Sequence, residues 1–86
     1  MIAVLYKPTF VRQYKKLPVA LQEEIKEKLA LFAKNPKYPF LKMHKLKGKL
    51  KKFYSFSVNY EYRIVFKFES KASAVMLAVG DHSVYN

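Results

Sequence analysis

From Phe53 to Phe68, apolar side chains occupy the even positions: Tyr54, Phe56, Val58, Tyr60, Tyr62, Ile64, Phe66 and Phe68. The odd positions are mostly polar, with Ser55, Ser57, Asn59, Glu61, Arg63 and Lys67. Side chains of a strand alternate between faces with a period of two, so the segment reads as a hairpin with one buried and one open face. Parity then selects the turn. A two-residue loop sets Val58 against Glu61 and mismatches the faces. A three-residue loop, Asn59-Tyr60-Glu61, pairs Val58 with Tyr62, Phe56 with Ile64 and Ser57 with Arg63. Arg63 then emerges on the open face beside a serine, where a ligand can reach it. The duller alternative pairs it with Glu61. Tyr60 and Tyr62 continue the buried stripe and read as core.

The remaining elements follow from local signals. Met1–Tyr6 is a short apolar run halted by Pro8, a first strand. Thr9 is placed to cap a helix with Phe10, Tyr14 and Leu17 on its apolar face. Pro18 ends that helix and suits the first turn of the next, whose stripe is Leu21, Ile25, Leu29 and Phe32. Glu24 and Lys28 form an i,i+4 pair of favourable order, and Asn35-Pro36 closes the helix. Ala72–Val79 is a nearly continuous apolar strand, expected to be central and covered on both sides. The expected order is β-α-α-β-β-β, an α+β domain with a helical hairpin on one face of a mostly antiparallel four-stranded sheet. The tail, Asp81-His82-Ser83-Val84-Tyr85-Asn86, leaves that last strand. If the strand neighbours the hairpin, His82 and Tyr85 fall near Arg63.

A chain of 86 residues is one small domain, spanning residues 1–86, near the lower limit for a self-sufficient core. Its hydrophobic content of 51% argues against disorder, and the absence of cysteine removes disulfide and thiolate-metal frameworks. No apolar stretch is long enough to span a bilayer, and the N-terminus lacks the plan of a signal peptide, so a cytoplasmic protein without membrane contact is expected. Two histidines and few acids argue against a metal site, and neither metal nor cofactor is expected.

The charge is more telling. Lys and Arg number 17 against 6 Asp and Glu, a formal +11. Six lysines fall between Lys42 and Lys52 without an intervening acid: Lys42, Lys45, Lys47, Lys49, Lys51 and Lys52. Such a cluster is the electrostatic footprint of a polyanion partner, most often nucleic acid, although a solvated basic face has the same composition. Gly-rich phosphate loops, paired-histidine metal motifs and a recognisable Ser-His-Asp order are absent.

RNA cleavage needs less, because the ribose 2′-OH is itself the nucleophile. The protein must align the backbone, move protons and stabilise phosphorane charge. His82 has the side chain whose ordinary pKa lies nearest neutrality, Arg63 a fork of donors matched to phosphate, and Tyr85 a ring to stack or relay a proton. His82 also reads as an exposed tail residue, Tyr85 as a packing residue and His44 as a surface residue in a lysine loop.

The segment KLKGKLKKFYSFSVNYEYRIVF, the terminal AVGDHSVY and the helical hairpin before them resemble the RelE/ParE superfamily of toxins from type II toxin–antitoxin modules. The resemblance spans the chain and is to the RelE, YafQ and YoeB-like branch. It implies a ribosome-dependent, metal-independent endoribonuclease that cuts translated messenger RNA in the decoding site of the 70S ribosome. It implies also an antitoxin partner, with an acidic segment wrapping the toxin, through which the complex binds operator DNA. Carried over by position, Arg63 is the phosphate-contacting arginine and His82 the near-terminal proton-transfer histidine. Tyr85 falls near the terminal aromatic, and His44 where YafQ-like chains carry an upstream histidine. Ser57 stands where those chains have a second histidine. Lys49 replaces the glutamate of YoeB-like members and is a candidate general base, its neutral form favoured by neighbouring cations. Lys45, Lys47, Lys51 and Lys52, with His44, form the expected RNA-binding surface. Two alternatives stay open: a ParE-like inhibitor of DNA gyrase without nuclease activity, and a non-catalytic basic nucleic-acid-binding module.

Overall fold

The computed structural model describes residues 1–48 and 52–81. Strand β1 (Ala3–Tyr6) leads into helix α1 (Pro8–Lys15) and helix α2 (Val19–Lys34), and a 3-10 turn (Pro39–Leu41) follows. Four strands complete the order: β2 (His44–Lys45), β3 (Tyr54–Ser57), β4 (Arg63–Ser70) and β5 (Ser73–Gly80). The sheet runs β1-β5-β4-β3-β2, parallel only between β1 and β5. It therefore has five strands and not the expected four, because His44 and Lys45 pair with Ser55 and Tyr54. A two-residue strand inside a lysine run carries no alternation from which to be read.

The hairpin has the register that parity demands. Phe56 pairs with Ile64 and Ser57 with Arg63, and Val58 donates its N–H to the Tyr62 carbonyl at 2.9 Å. Asn59 shapes the turn. Its Oδ1 accepts the N–H groups of Glu61 and Tyr62 at 2.9 and 2.8 Å, an Asx turn that holds the three-residue loop in place. Tyr60 sits at the apex and is 98% exposed, so it is not core. The even-odd alternation continues through the turn in the sequence, but the backbone there has left the pleat that gives alternation its meaning. Tyr62, back beside the strand, does pack against the core.

Both helices lay apolar faces on the sheet. Phe10 from α1 and Ile25 and Phe32 from α2 are buried with Phe56, Ile64, Phe66, Met76 and Val79. Phe32 stacks on Phe56 at 4.9 Å between ring centroids and meets Phe66 edge-on at 4.8 Å. Helix α1 starts two residues earlier than expected from a Thr9 cap. Lys7 is the N-cap and Pro8 the first helical residue, since proline loses no hydrogen bond there. Thr9 is inside the first turn, where its Oγ1 accepts from Arg12 at 3.3 Å. Pro18 is the N-cap of α2, and the Gln22 amide donates to the Leu17 carbonyl at 3.0 Å and to the Lys15 carbonyl at 3.4 Å, the latter an orphan of the helix before it.

Strand β5 is interior, as expected, with β1 and β4 on its sides. It outruns β1, whose register ends at Tyr6 against Met76, so the backbone beyond lacks a strand on that side. Gln13 of α1 substitutes: its Oε1 accepts the Val79 N–H at 2.8 Å. The last rung of β5 pairs Gly80 with Arg63. Truncating Phe32 to alanine should cost about 3–5 kcal/mol in urea unfolding, because its cavity lies between helix and hairpin. Tyr60→Ala should stay within about 0.5 kcal/mol of wild type, as a surface substitution does.

Candidate nucleic-acid interface

Arg63 opens β4 immediately after the hairpin turn, on the face shared with Ser57 and Gly80. Its Nη1 donates to Ser57 Oγ at 2.7 Å, and Ser57 is buried. The guanidinium is thus anchored by one nitrogen, and among the described residues this is the hydrogen bond its side chain makes. The alternative pairing with Glu61 does not form; ion pairs seen elsewhere include Lys26–Glu23 at 3.5 Å and Lys67–Glu69 at 3.7 Å. Both are exposed and contribute little.

Arg63 lines a cleft of about 410 Å³ at the hairpin end of the sheet, with Lys28, Phe40, Lys42, Ser57, Val58, Asn59 and Tyr60. Among the described residues the lining has three cations and no acid. Each cation has a structural reason to be there. Lys42 follows the 3-10 turn and precedes β2, whose His44 pairs with Ser55. Its backbone is left-handed, with φ 50 and ψ 45, a conformation that costs a non-glycine residue of order 1–3 kcal/mol and concentrates at functional sites. Lys28 comes from α2. The expected Glu24–Lys28 pair is absent, because the Glu24 carboxylate accepts the Asn59 amide at 2.9 and 3.2 Å and so ties α2 to the turn.

The other anticipated residues divide. His44 and Lys45 lie on β2, both exposed, and strand alternation sends them to opposite faces. His44 pairs with Ser55 on the Arg63 face, its ring nitrogens 3.4 Å from the Lys42 carbonyl and 3.4 Å from Ser55 Oγ. Lys45 pairs with Tyr54, whose ring packs toward the core on the helix side. Lys47 and Lys52 are exposed near the β2–β3 connection. Lys49, Lys51, His82 and Tyr85 lie outside the described residues. His82 follows by two positions the glycine that pairs with Arg63.

The lysine run is therefore not one uniform face. Lys28, Phe40 and Tyr60 carry no sequence signal that marks them as site residues, and Lys42 stands out only as part of the run. Among the described residues, no cluster of three or more His, Cys, Asp or Glu could hold a metal ion, and no helix is long and apolar enough to cross a membrane.

A family model described as "RelE-like toxin of type II toxin-antitoxin system HigB" matches residues 11–82. Among solved structures, YafQ from E. coli strain BL21(DE3) superposes with a TM-score of 0.76 at 16% identity, covering 99% of this chain and 98% of its own. The YoeB–YefM complex from Staphylococcus aureus gives 0.76 at 22% identity, with 95% and 98% covered. The archaeal RelE–RelB complex from Pyrococcus horikoshii OT3 gives 0.76 at 18% identity, with 93% of each chain covered. These likenesses establish a common fold. No curated protein matches the chain in sequence.

The backbone of Lys42 generates a stability test. Lys42→Gly relieves the left-handed strain and should melt no lower than wild type. Lys28→Gly, in the interior of α2, should lose about 1 kcal/mol. Equal losses in urea titrations of the two variants would mean that the Lys42 conformation carries no strain.

Proposed function

The chain belongs to the HigB-like family of RelE-like toxins of type II toxin–antitoxin systems, and we propose that it is a single-domain messenger-RNA endonuclease acting on the translating ribosome. The observation that carries this reading is the Arg63 cleft: a half-anchored guanidinium among further cations and without an acid. A polyanion gains most in such a place, and an arginine fork fits phosphate oxygens in two-pronged fashion.

In the proposed reaction the ribose 2′-oxygen attacks the adjacent phosphorus in line, and the bond from phosphorus to the 5′-oxygen breaks. The products are a 2′,3′-cyclic phosphate and a 5′-hydroxyl. Arg63 holds a non-bridging oxygen and stabilises the added phosphorane charge. His82 gives its proton to the departing 5′-oxygen, and Lys49 in its neutral form is the candidate for taking the 2′ proton. His44, Lys45, Lys47, Lys51 and Lys52 supply charge along the message and ribosomal RNA, and Tyr85 stacks on a base.

The same charge suits an acidic antitoxin segment. YoeB and RelE are solved in complexes with YefM and RelB, and an equivalent partner for this chain would silence it by covering the cleft. That complex would meet operator DNA through the antitoxin, in the cytoplasm.

Cleavage of translated messages on purified ribosomes, read as new RNA 5′ ends, tests the assignment. Arg63→Ala should lose about 100- to 1,000-fold in rate, and Arg63→Lys should not restore it, since ammonium lacks the fork. His82→Ala should lose about 100- to 10,000-fold while still binding ribosomes. Substituting Lys47, Lys49 and Lys51 together should reduce the salt slope of binding by roughly 0.7–0.9 for each phosphate that is no longer neutralised. Wild-type protein that leaves RNA whole on translating ribosomes but blocks gyrase supercoiling would replace this reading with the gyrase one.

A further inference from the structure

The cleft holds more than a phosphate site needs. Phe40 and Tyr60 both line it, and they stand 72% and 98% exposed. A single exposed ring is ordinary. Two beside the same three cations are not explained by the core, to which neither contributes.

Both rings are mounted on fixed backbone. The Asx turn of Asn59 projects Tyr60 from the hairpin apex. Phe40 lies in the 3-10 turn beside fully buried Leu41, and its ring leans on Tyr38 at 5.6 Å. The two flanks of Tyr60 differ in sign. One is the cationic cleft, and the other is lined by Glu24 and Glu61. An anionic chain is therefore admitted on the Lys28 and Lys42 side only.

The uncharged polar side chains of the lining are already engaged, Ser57 Oγ accepting from Arg63 and Asn59 bonded to Glu24 and to its own turn. Little is left to read a base by its hydrogen-bonding edge, whereas two faces are available for stacking. A nucleotide unit presents an apolar ring and a charged phosphate together, and ring-plus-cation surfaces match both. An acidic peptide would engage the cations and leave the rings idle.

We propose that this cleft is a stacking subsite for single-stranded RNA, with phosphates on Arg63, Lys42 and Lys28 and flanking bases on Tyr60 and Phe40. It deepens the nuclease reading and takes its choice of RNA from it. Recognition here is tolerant of sequence, since every base has a stacking face.

The chain contains no tryptophan, so Tyr60→Trp and Phe40→Trp each introduce one reporting indole. We would titrate each with a 2′-O-methyl RNA hexamer, which lacks the attacking hydroxyl, and in parallel with a hexaglutamate peptide. The subsite predicts saturable quenching by the RNA. In anisotropy with labelled hexamer, Tyr60→Leu and Phe40→Leu should each bind about 5- to 150-fold more weakly. Tyr60→Phe should bind as wild type does, and all three should melt like it because the side chains are exposed. Absent quenching, Leu variants of undiminished affinity, or quenching by the peptide alone would each overturn the proposal. Ribosomal cleavage assayed on the same preparations separates the two readings. Stacking without cleavage keeps the subsite and removes the nuclease; cleavage that does not depend on Tyr60 and Phe40 removes the subsite.

Discussion

The packing of Phe32 against Phe56 and Phe66 is the contact on which the rest of this structure turns. One ring from α2 touches a ring from each strand of the hairpin, fully buried. Burial of such a ring contributes several kcal/mol, a large part of the net stability of a small domain. Its geometric effect matters as much. A helix is stiff, so seating Phe32 also sets Lys28 one turn back and Glu24 two turns back. Glu24 meets the Asn59 amide on the hairpin turn, and Lys28 reaches the cleft that Arg63 lines. Hydrophobic packing thereby positions a cation that the linear sequence separates widely from Arg63.

That arrangement concentrates like charge, which opposes folding. The chain accepts a formal +11, an acid-free cleft lining and a left-handed backbone at Lys42. Nothing within the core requires any of these. They are costs that an anionic ligand of the kind proposed would offset, with Arg63 as the cation already held in place by a hydrogen bond. The Ser57 hydroxyl does the holding at Arg63, and it can do so only because the turn length sets the two residues directly opposite each other.

The hairpin register, the helix stripes and the interior position of β5 are all readable from the chain, since each rests on a period of two or 3.6 or on a local breaker. The misreadings share a cause, which is that local pattern stops short of long-range structure. Alternation carried into a turn puts Tyr60 in the core, helical spacing pairs Glu24 with Lys28 although a hairpin amide holds it, and β2 is too short to show a pattern. The family resemblance to RelE-like toxins rests on nearly the whole chain, and the match over residues 11–82 agrees with it. Arg63 is seen in the cleft; Lys49, Lys51, His82 and Tyr85 stay as expectations carried by the sequence.

Local chemistry by itself pointed to Arg63 opposite Ser57 on the sheet face away from the helices, because side-chain parity rules out the two-residue turn and the three-residue loop keeps the aromatic stripe on one face. It determined too that the chain would be strongly basic, with a formal charge of +11. Only tertiary structure decided which basic residues stand together. Lys28, Lys42 and Arg63, with Phe40 and Tyr60, come from a helix, a 3-10 turn and a hairpin, and no sequence period relates them. Their meeting follows from where Phe32 docks and from how the Asn59 turn aims its apex. Both are long-range packing outcomes, invisible to any window of neighbouring residues.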